Sequence, residues 1–279
     1  MNRPASPVLI IAAKEIRDSS RNHWFGFMAG IFLLLSLSVT FAGSAAGGSL
    51  HLPTLVSLMS SLSTLSVFII PLAAILLSYD SFVGEDESGT LLLLLSYPLS
   101  RTQILGGKLL GHMAVMLLAT SFSFGLTAML LLLIGEQYQV VGLIGAFAQF
   151  LLSSNLLALI FILFSYIVSL KCTEKAKAVG CLLLVWFLFV LIYDLLLLAI
   201  LVSDLSFVNQ YIVNALIAFN PTDLYRAINL MAVEGGDAGG SLAVIAQSDW
   251  GVSGMYLLML LWIALLSWIS HRIFQRKHL

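Results

Sequence analysis

"GEDESGTLLLLLSYPLSR", residues 84–101, sets five consecutive leucines between an acidic cluster and a Tyr-Pro corner that ends in Arg101. Thr90 through Leu95 make about two helical turns, roughly 9 Å, whereas a hydrocarbon layer is about 30 Å thick. The run is too short to cross a membrane and too apolar to lie free in water, so it must rest on something apolar. Ser88 is expected to cap its start, with Asp86 and Glu87 beside the positive helix end. Pro98 stops it, because the residue before a proline avoids helix. Ser100 and Gln103 then match a capping box, so a new helix starts at Arg101.

Long apolar stretches flank this short one. Of the 279 residues, 60% are hydrophobic and 10% charged, and mean hydropathy is +1.03. A soluble domain carries about 25% charged residues, so the composition predicts an all-α polytopic membrane protein. Six stretches are long enough to span: 24–42, 54–78, 108–134, 143–169, 178–203 and 253–271. Twelve of the 13 Lys and Arg flank them on one side, leaving Arg226 alone on the other, which predicts both termini in the cytoplasm. A net charge of −1 suggests no nucleic-acid partner. Residues 1–23 are polar and amphipathic and the first apolar stretch is long for a signal peptide, so no cleaved leader is expected.

Three regions lie outside the spans. Residues 6–22 place Leu9, Ala12, Ala13 and Ile16 at helical spacing, which predicts an interfacial amphipathic helix at the cytoplasmic surface. Residues 79–103 form a cytoplasmic bracket. Residues 204–252 form the longest outer segment, in which Asn220 reads as an N-cap, Pro221 as the first helical residue and Asp223 as a first-turn acid. That helix is expected to stop at the glycine-rich residues 235–240.

The bracket carries a resemblance. Glu87, Gly89, Thr90, Pro98, Ser100, Arg101, Gly107 and Lys108 stand as in the signature of type-2 ABC transporter permeases, and the six-span layout agrees over essentially the whole chain. Asp86 departs from it, standing where many relatives have a basic residue. The resemblance implies a coupling helix seated in a groove of a separate cytoplasmic ABC ATPase. Its contact residues would be Glu85, Asp86, Glu87, Gly89, Thr90, Leu91, Leu92, Leu94, Leu95, Pro98 and Arg101. It also implies a homodimer in the bacterial inner membrane, with ATP and Mg on the partner and no cofactor bound directly. "FNPTDLYRAINL", residues 219–230, together with "YDSFVGEDESGT", is similar to permeases serving copper-site maturation of nitrous oxide reductase. That similarity implies a periplasmic partner, with Asn220, Pro221, Asp223, Tyr225 and Arg226 forming or supporting the contact. The plainer reading of these five is a capped helix packed back on the bundle.

Chemistry of the chain's own is not indicated. The "GGKL" at residues 106–109 lacks the first glycine and the hydroxyl of a phosphate-binding loop, and no metalloprotease or serine-nucleophile motif occurs. The five histidines are scattered, so no metal site is assigned. The nine methionines read as core filling, and Cys172 and Cys181 as small apolar residues. Gly26 with Gly30, and Gly107 with Gly111, permit close helix approach. Asp194, near the middle of the fifth span, is the unusual residue, since a carboxylate there costs about 2.5–3.5 kcal/mol on translocon scales. It is expected to face the bundle interior or another subunit, lining a cargo route, making a coupling hydrogen bond, or bonding Tyr193 or a serine as a structural carboxyl. Two alternatives stay open: an exporter of a drug, lipid or peptide, and a membrane scaffold or enzyme without an ATPase.

Overall fold

The computed structural model describes residues 6–47, 52–135, 138–202, 210–231 and 251–277. All regular structure among them is helical: α1 (Pro7–Arg21), α2 (Trp24–Gly47), α3 (Leu55–Ser78), α4 (Val83–Glu87), α5 (Thr90–Ser96), α6 (Arg101–Ile134), α7 (Val140–Lys171), α8 (Lys175–Phe187), a π-helical turn (Leu188–Ile192), α9 (Tyr193–Val202), α10 (Gln210–Phe219), α11 (Pro221–Met231) and α12 (Gly251–Arg276). Among the described residues six helical stretches are long and apolar enough to cross a membrane: Trp24–Phe41, Leu55–Glu87, Arg101–Ile134, Val140–Lys171, Lys175–Ile200 and Gly251–Arg276. They fall on the six predicted stretches.

Burial ranks the spans. In α7 and α3, 61% and 56% of the apolar window is buried, against 17% in the fifth and sixth spans, so α7 and α3 form the centre. Phe32, Phe124, Phe150 and Tyr225 stack in sequence through that centre, joining α2, α6, α7 and α11. Hydroxyl and amide groups bridge the same helices: Ser123 donates to the Ala29 carbonyl at 2.8 Å, and Asn155 donates to Thr120 at 3.0 Å. Lipid tails are as apolar as leucine, so such bonds and close packing hold membrane helices together. Met28, Met59, Met116, Met255 and Met259 fill the core as predicted, whereas Met129 is exposed.

The α1 helix forms where expected, with Ser6 as its cap, but it turns a different face to the bundle. Ile11, Ala12, Glu15 and Ser19 are buried, whereas Leu9 and Ala13 are exposed. Two glycines in α6 set this face. A Cβ added at Gly107 or Gly111 would stand 2.6 Å from the Cβ of Ile11 or Glu15, so only hydrogen lets the backbones approach. Gly26 and Gly30, by contrast, have open space around them.

Of the segment after the fifth span, residues 210–231 are described. Its described part, α10 and α11, folds back, and Pro221 through Asn229 are all buried against α3, α7 and α12. The glycine-rich helix stop at 235–240 lies outside the described residues.

Candidate functional site

Charged side chains gather at both ends of the bundle. At the basic end, Arg101 donates to the Phe274 and Gln275 carbonyls at the close of α12, and Lys277 meets Asp86 at 2.7 Å. The start of α6, the bracket and the end of the last span therefore share one end.

Lys108, 1% exposed, is the centre of this cluster. Its ammonium lies 3.0 Å from Glu15 on α1 and 2.8 Å from Glu85 on α4. Lys14 reaches the same two carboxylates at 3.1 and 3.3 Å. Burial works to raise the Glu15 carboxyl, but Lys108, His112 and Lys14 overcome it and hold it down to about 2. For Lys14, burial works downward and is outweighed by Glu15 and Glu85, which raise it. Behind the cluster His112 Nδ1 and the Tyr166 hydroxyl are 2.7 Å apart.

The bracket residues divide into braces and a face. Of the expected contact residues, Glu85, Asp86 and Arg101 are engaged within the chain, and Glu87 accepts from the Lys175 N–H at 2.6 Å, holding the start of α8. These contacts brace the bracket within the chain. Leu91 is 1% exposed and rests on the bundle, while Leu94 and Leu95 are half-buried. Leu92, Leu93 and Tyr97 are about 60% exposed, and Thr90 and Pro98 lie open beside them. Leu93, absent from the expected set, belongs to the free face. Gly89, at φ 71°, makes the corner between α4 and α5, which strains any residue but glycine. Gly89 takes the cap position expected of Ser88, whose hydroxyl turns back to the Gly84 carbonyl at 2.9 Å. The capping box at Ser100 and Gln103 is present as predicted.

The second cluster joins α11 to the broken fifth span. The π-helical turn lets the Phe189 carbonyl accept from both Asn220 Nδ2 and Thr222 Oγ1 at 3.1 Å. One turn on, Asp194 meets Arg226 at 2.5 Å, and Arg226 also stands 3.7 Å from Asp223. Burial pushes the Asp223 carboxyl up to about 7, with Arg226 opposing and Asp194 adding to the rise. Asp194 lies 19 residues beyond Lys175, about 28 Å along the helix, so it sits toward the far end of the span and not at its middle. Among the described residues its partner is Arg226, and the Tyr193 hydroxyl donates instead to the Leu216 carbonyl. Asn220, Pro221, Asp223, Tyr225 and Arg226 are all buried. The cover comes from α3, α7 and α12, as the plainer reading of a capped helix packed back on the bundle has it.

The pairing of Arg226 with Asp194 escaped the sequence reading, although the single outer cation and the single mid-span carboxylate were both visible there. Glu15 escaped it too; a carboxylate one turn from the buried face of α1 was the available signal. The two cysteines are not core residues: Cys172 ends α7 and Cys181 is exposed. Among the described residues no group of three or more His, Cys, Asp or Glu is placed to hold a metal ion.

Comparison with known proteins gives two findings. Residues 9–279 match the model of a family described as ABC-2 family transporter protein. The chain is 42% identical over 268 residues to the "Probable ABC transporter permease protein NosY" of Stutzerimonas stutzeri, covering 96% of this chain and 97% of that one. It is 40% identical over 270 residues to the protein of the same name from Pseudomonas aeruginosa, covering 97% and 98%.

Proposed function

Because the chain belongs to the ABC-2 family of transporter proteins, we propose that it is the membrane half of a transporter whose ATP is hydrolysed by a separate cytoplasmic subunit of the NosF kind. The observation that carries this reading is the α5 face. Leu92 and Leu93 stand exposed on α5 and Tyr97 at its end, between α4, whose Glu85, Asp86 and Glu87 are tied to Lys108, Lys277 and Lys175, and α6, whose Arg101 is tied to the end of α12. Exposed aromatic and aliphatic anchors on a rigid support suit a protein docking site. A push on α5 would pass through Glu85 to α6 and α1, through Asp86 and Arg101 to α12, and through Glu87 to α8. On this reading the permease couples hydrolysis by the partner, which holds the ATP and Mg, to transport or to mechanical signalling across the membrane.

The basic end is then cytoplasmic, in accord with the distribution of Lys and Arg, and the Arg226 end faces the periplasm of a bacterial inner membrane. The similarity to permeases named NosY supports service to copper-site maturation of nitrous oxide reductase, in a homodimer with a NosD-like periplasmic protein. The sparsely buried fifth and sixth spans leave apolar surface for a second copy or for lipid. The test is site-specific crosslinking from Leu92 and Leu93 in native membranes. An ATPase adduct whose yield changes with ATP is expected, and adducts confined to this chain would overturn the reading.

A further inference from the structure

Two cavities meet at Trp24. The first, about 270 Å³, is enclosed by α1, the end of α3, α4, α6 and α8, and is walled by charge, with Lys14, Asp80, Glu85, Lys108 and Lys175 among its lining. The second, about 150 Å³, runs between α2 and α3 and is walled by apolar side chains, among them Met28, Phe32, Ile69, Ala73 and Leu76. Trp24 borders both, and Leu77 of the first adjoins Leu76 of the second. A charged chamber and a greasy groove that share Trp24 as a wall at the end of a membrane span match the two parts of one amphiphile.

Charge selects its head. Glu15, Asp18, Asp80 and Glu85 face Lys14, Lys108 and Lys175, which leaves the chamber one negative charge in excess. Glu85 Oε2 is buried without a hydrogen-bond partner. A buried acceptor of this kind is stabilised by a donor, which an ammonium supplies, and a zwitterion, whose phosphate offsets the ammonium's charge, adds no further negative charge to the chamber. An anionic head meets net repulsion, and a trimethylated head has no N–H to give. Lys175 on the chamber wall can face a phosphate while the ammonium lies toward Glu85 and Asp80.

We propose that the two cavities together bind one zwitterionic aminophospholipid, with its primary ammonium and phosphate in the chamber and an acyl chain in the groove between α2 and α3. It is a resident lipid, not a cargo. The proposal needs the chain to lie in a membrane and does not depend on an ATPase, so the two readings fail separately. A lipid seated there would touch α1, α4 and α6 at once, close to Lys108.

Native mass spectrometry of the delipidated full chain tests it, with phosphatidylethanolamine, phosphatidylcholine and phosphatidylglycerol of matched acyl chains. One phosphatidylethanolamine per chain is expected, held at least tenfold more tightly than the other two. Ala73→Phe, which fills the groove, and Asp80→Asn, which removes charge from the chamber, should each weaken it at least tenfold; Leu72→Trp fills the groove should Ala73→Phe not fold. Soluble phosphoethanolamine should not displace the lipid. Equal binding of the three lipids, which marks an annular shell only, would overturn the proposal. So would unchanged affinity in the folded groove-filling variant, or displacement by phosphoethanolamine, which marks a water-soluble ligand's site.

Discussion

Lys108 Nζ stands 2.8 Å from Glu85 Oε1 and 3.0 Å from Glu15 Oε1, so one buried ammonium ties together three elements that are far apart in the chain. A buried pair returns little net stability when intact, but removing one partner leaves an unpaired charge and costs about 3–5 kcal/mol. Lys108→Met should therefore lower the melting temperature of the purified protein sharply. The double variant Lys108→Met with Glu85→Gln should recover part of the loss, because it removes one of the two carboxylates left facing each other. A single variant that melts like the wild type would show that α1 and α4 are held by packing alone.

The leucine run separates into inward and outward residues, and substitution should read the difference. Leu91, buried, should lose about 2–4 kcal/mol on change to Ala, as large-to-small core changes do. Leu92→Glu with Leu93→Glu changes two exposed positions and should leave the melting temperature near wild type. The same pair should abolish copurification of an ATPase with the tagged permease. Retention of the ATPase by the double variant would move the docking site away from α5.

How far the sequence discloses this arrangement depends on the range of the interaction. The spans were legible because each is a continuous apolar run, and the Ser100–Gln103 box because its two members are one turn apart. Pro221 and Asn220 were legible for the same reason. The face of α1 was not, because Gly107 and Gly111 in a distant helix, and not its own apolar residues, decide which side comes close. The bracket carboxylates looked available since their partners, Lys108, Lys175 and Lys277, lie 23 to 191 residues away. Whether Arg226 would face a partner or the bundle stayed open, because no local sign decides whether α11 is covered.

The Asp194–Arg226 pair should respond unequally to loss of either member. Arg226 is 7% exposed in its side chain and Asp194 31%, and a guanidinium cannot shed its proton. Asp194→Leu therefore leaves a buried permanent cation with Asp223 at 3.7 Å as its remaining acidic neighbour, whereas Arg226→Leu leaves carboxylates that can take up protons. Asp194→Leu should show the larger fall in folded yield and melting temperature, and the exchange Asp194→Arg with Arg226→Asp should restore part of it. Equal losses from the two single variants would point to packing, not charge, as what α11 needs.

Asp223 makes the stability of this end depend on pH in a direction opposite to Glu15. Its folded carboxyl titrates at about 7 against an ordinary 3.8, so the proton-linked stability is complete below 3.8 and is lost as pH rises through 7. Glu15, held down to about 2 against an ordinary 4.5, gives stability that is complete above 4.5 and lost as pH falls toward 2. Between about pH 5.5 and about pH 8 Glu15 is ionised in both the folded and unfolded chain, so the window belongs to Asp223. The groups facing it, Arg226, Asp194 and Tyr193, are unchanged in Asp223→Asn. Asn cannot lose a proton, so the variant's melting temperature should fall less than the wild type's as pH rises across this window, as read by fluorescence melting in one detergent. Parallel curves for the two proteins would show that Asp223 stays ionised throughout, paired with Arg226 as firmly as Asp194 is.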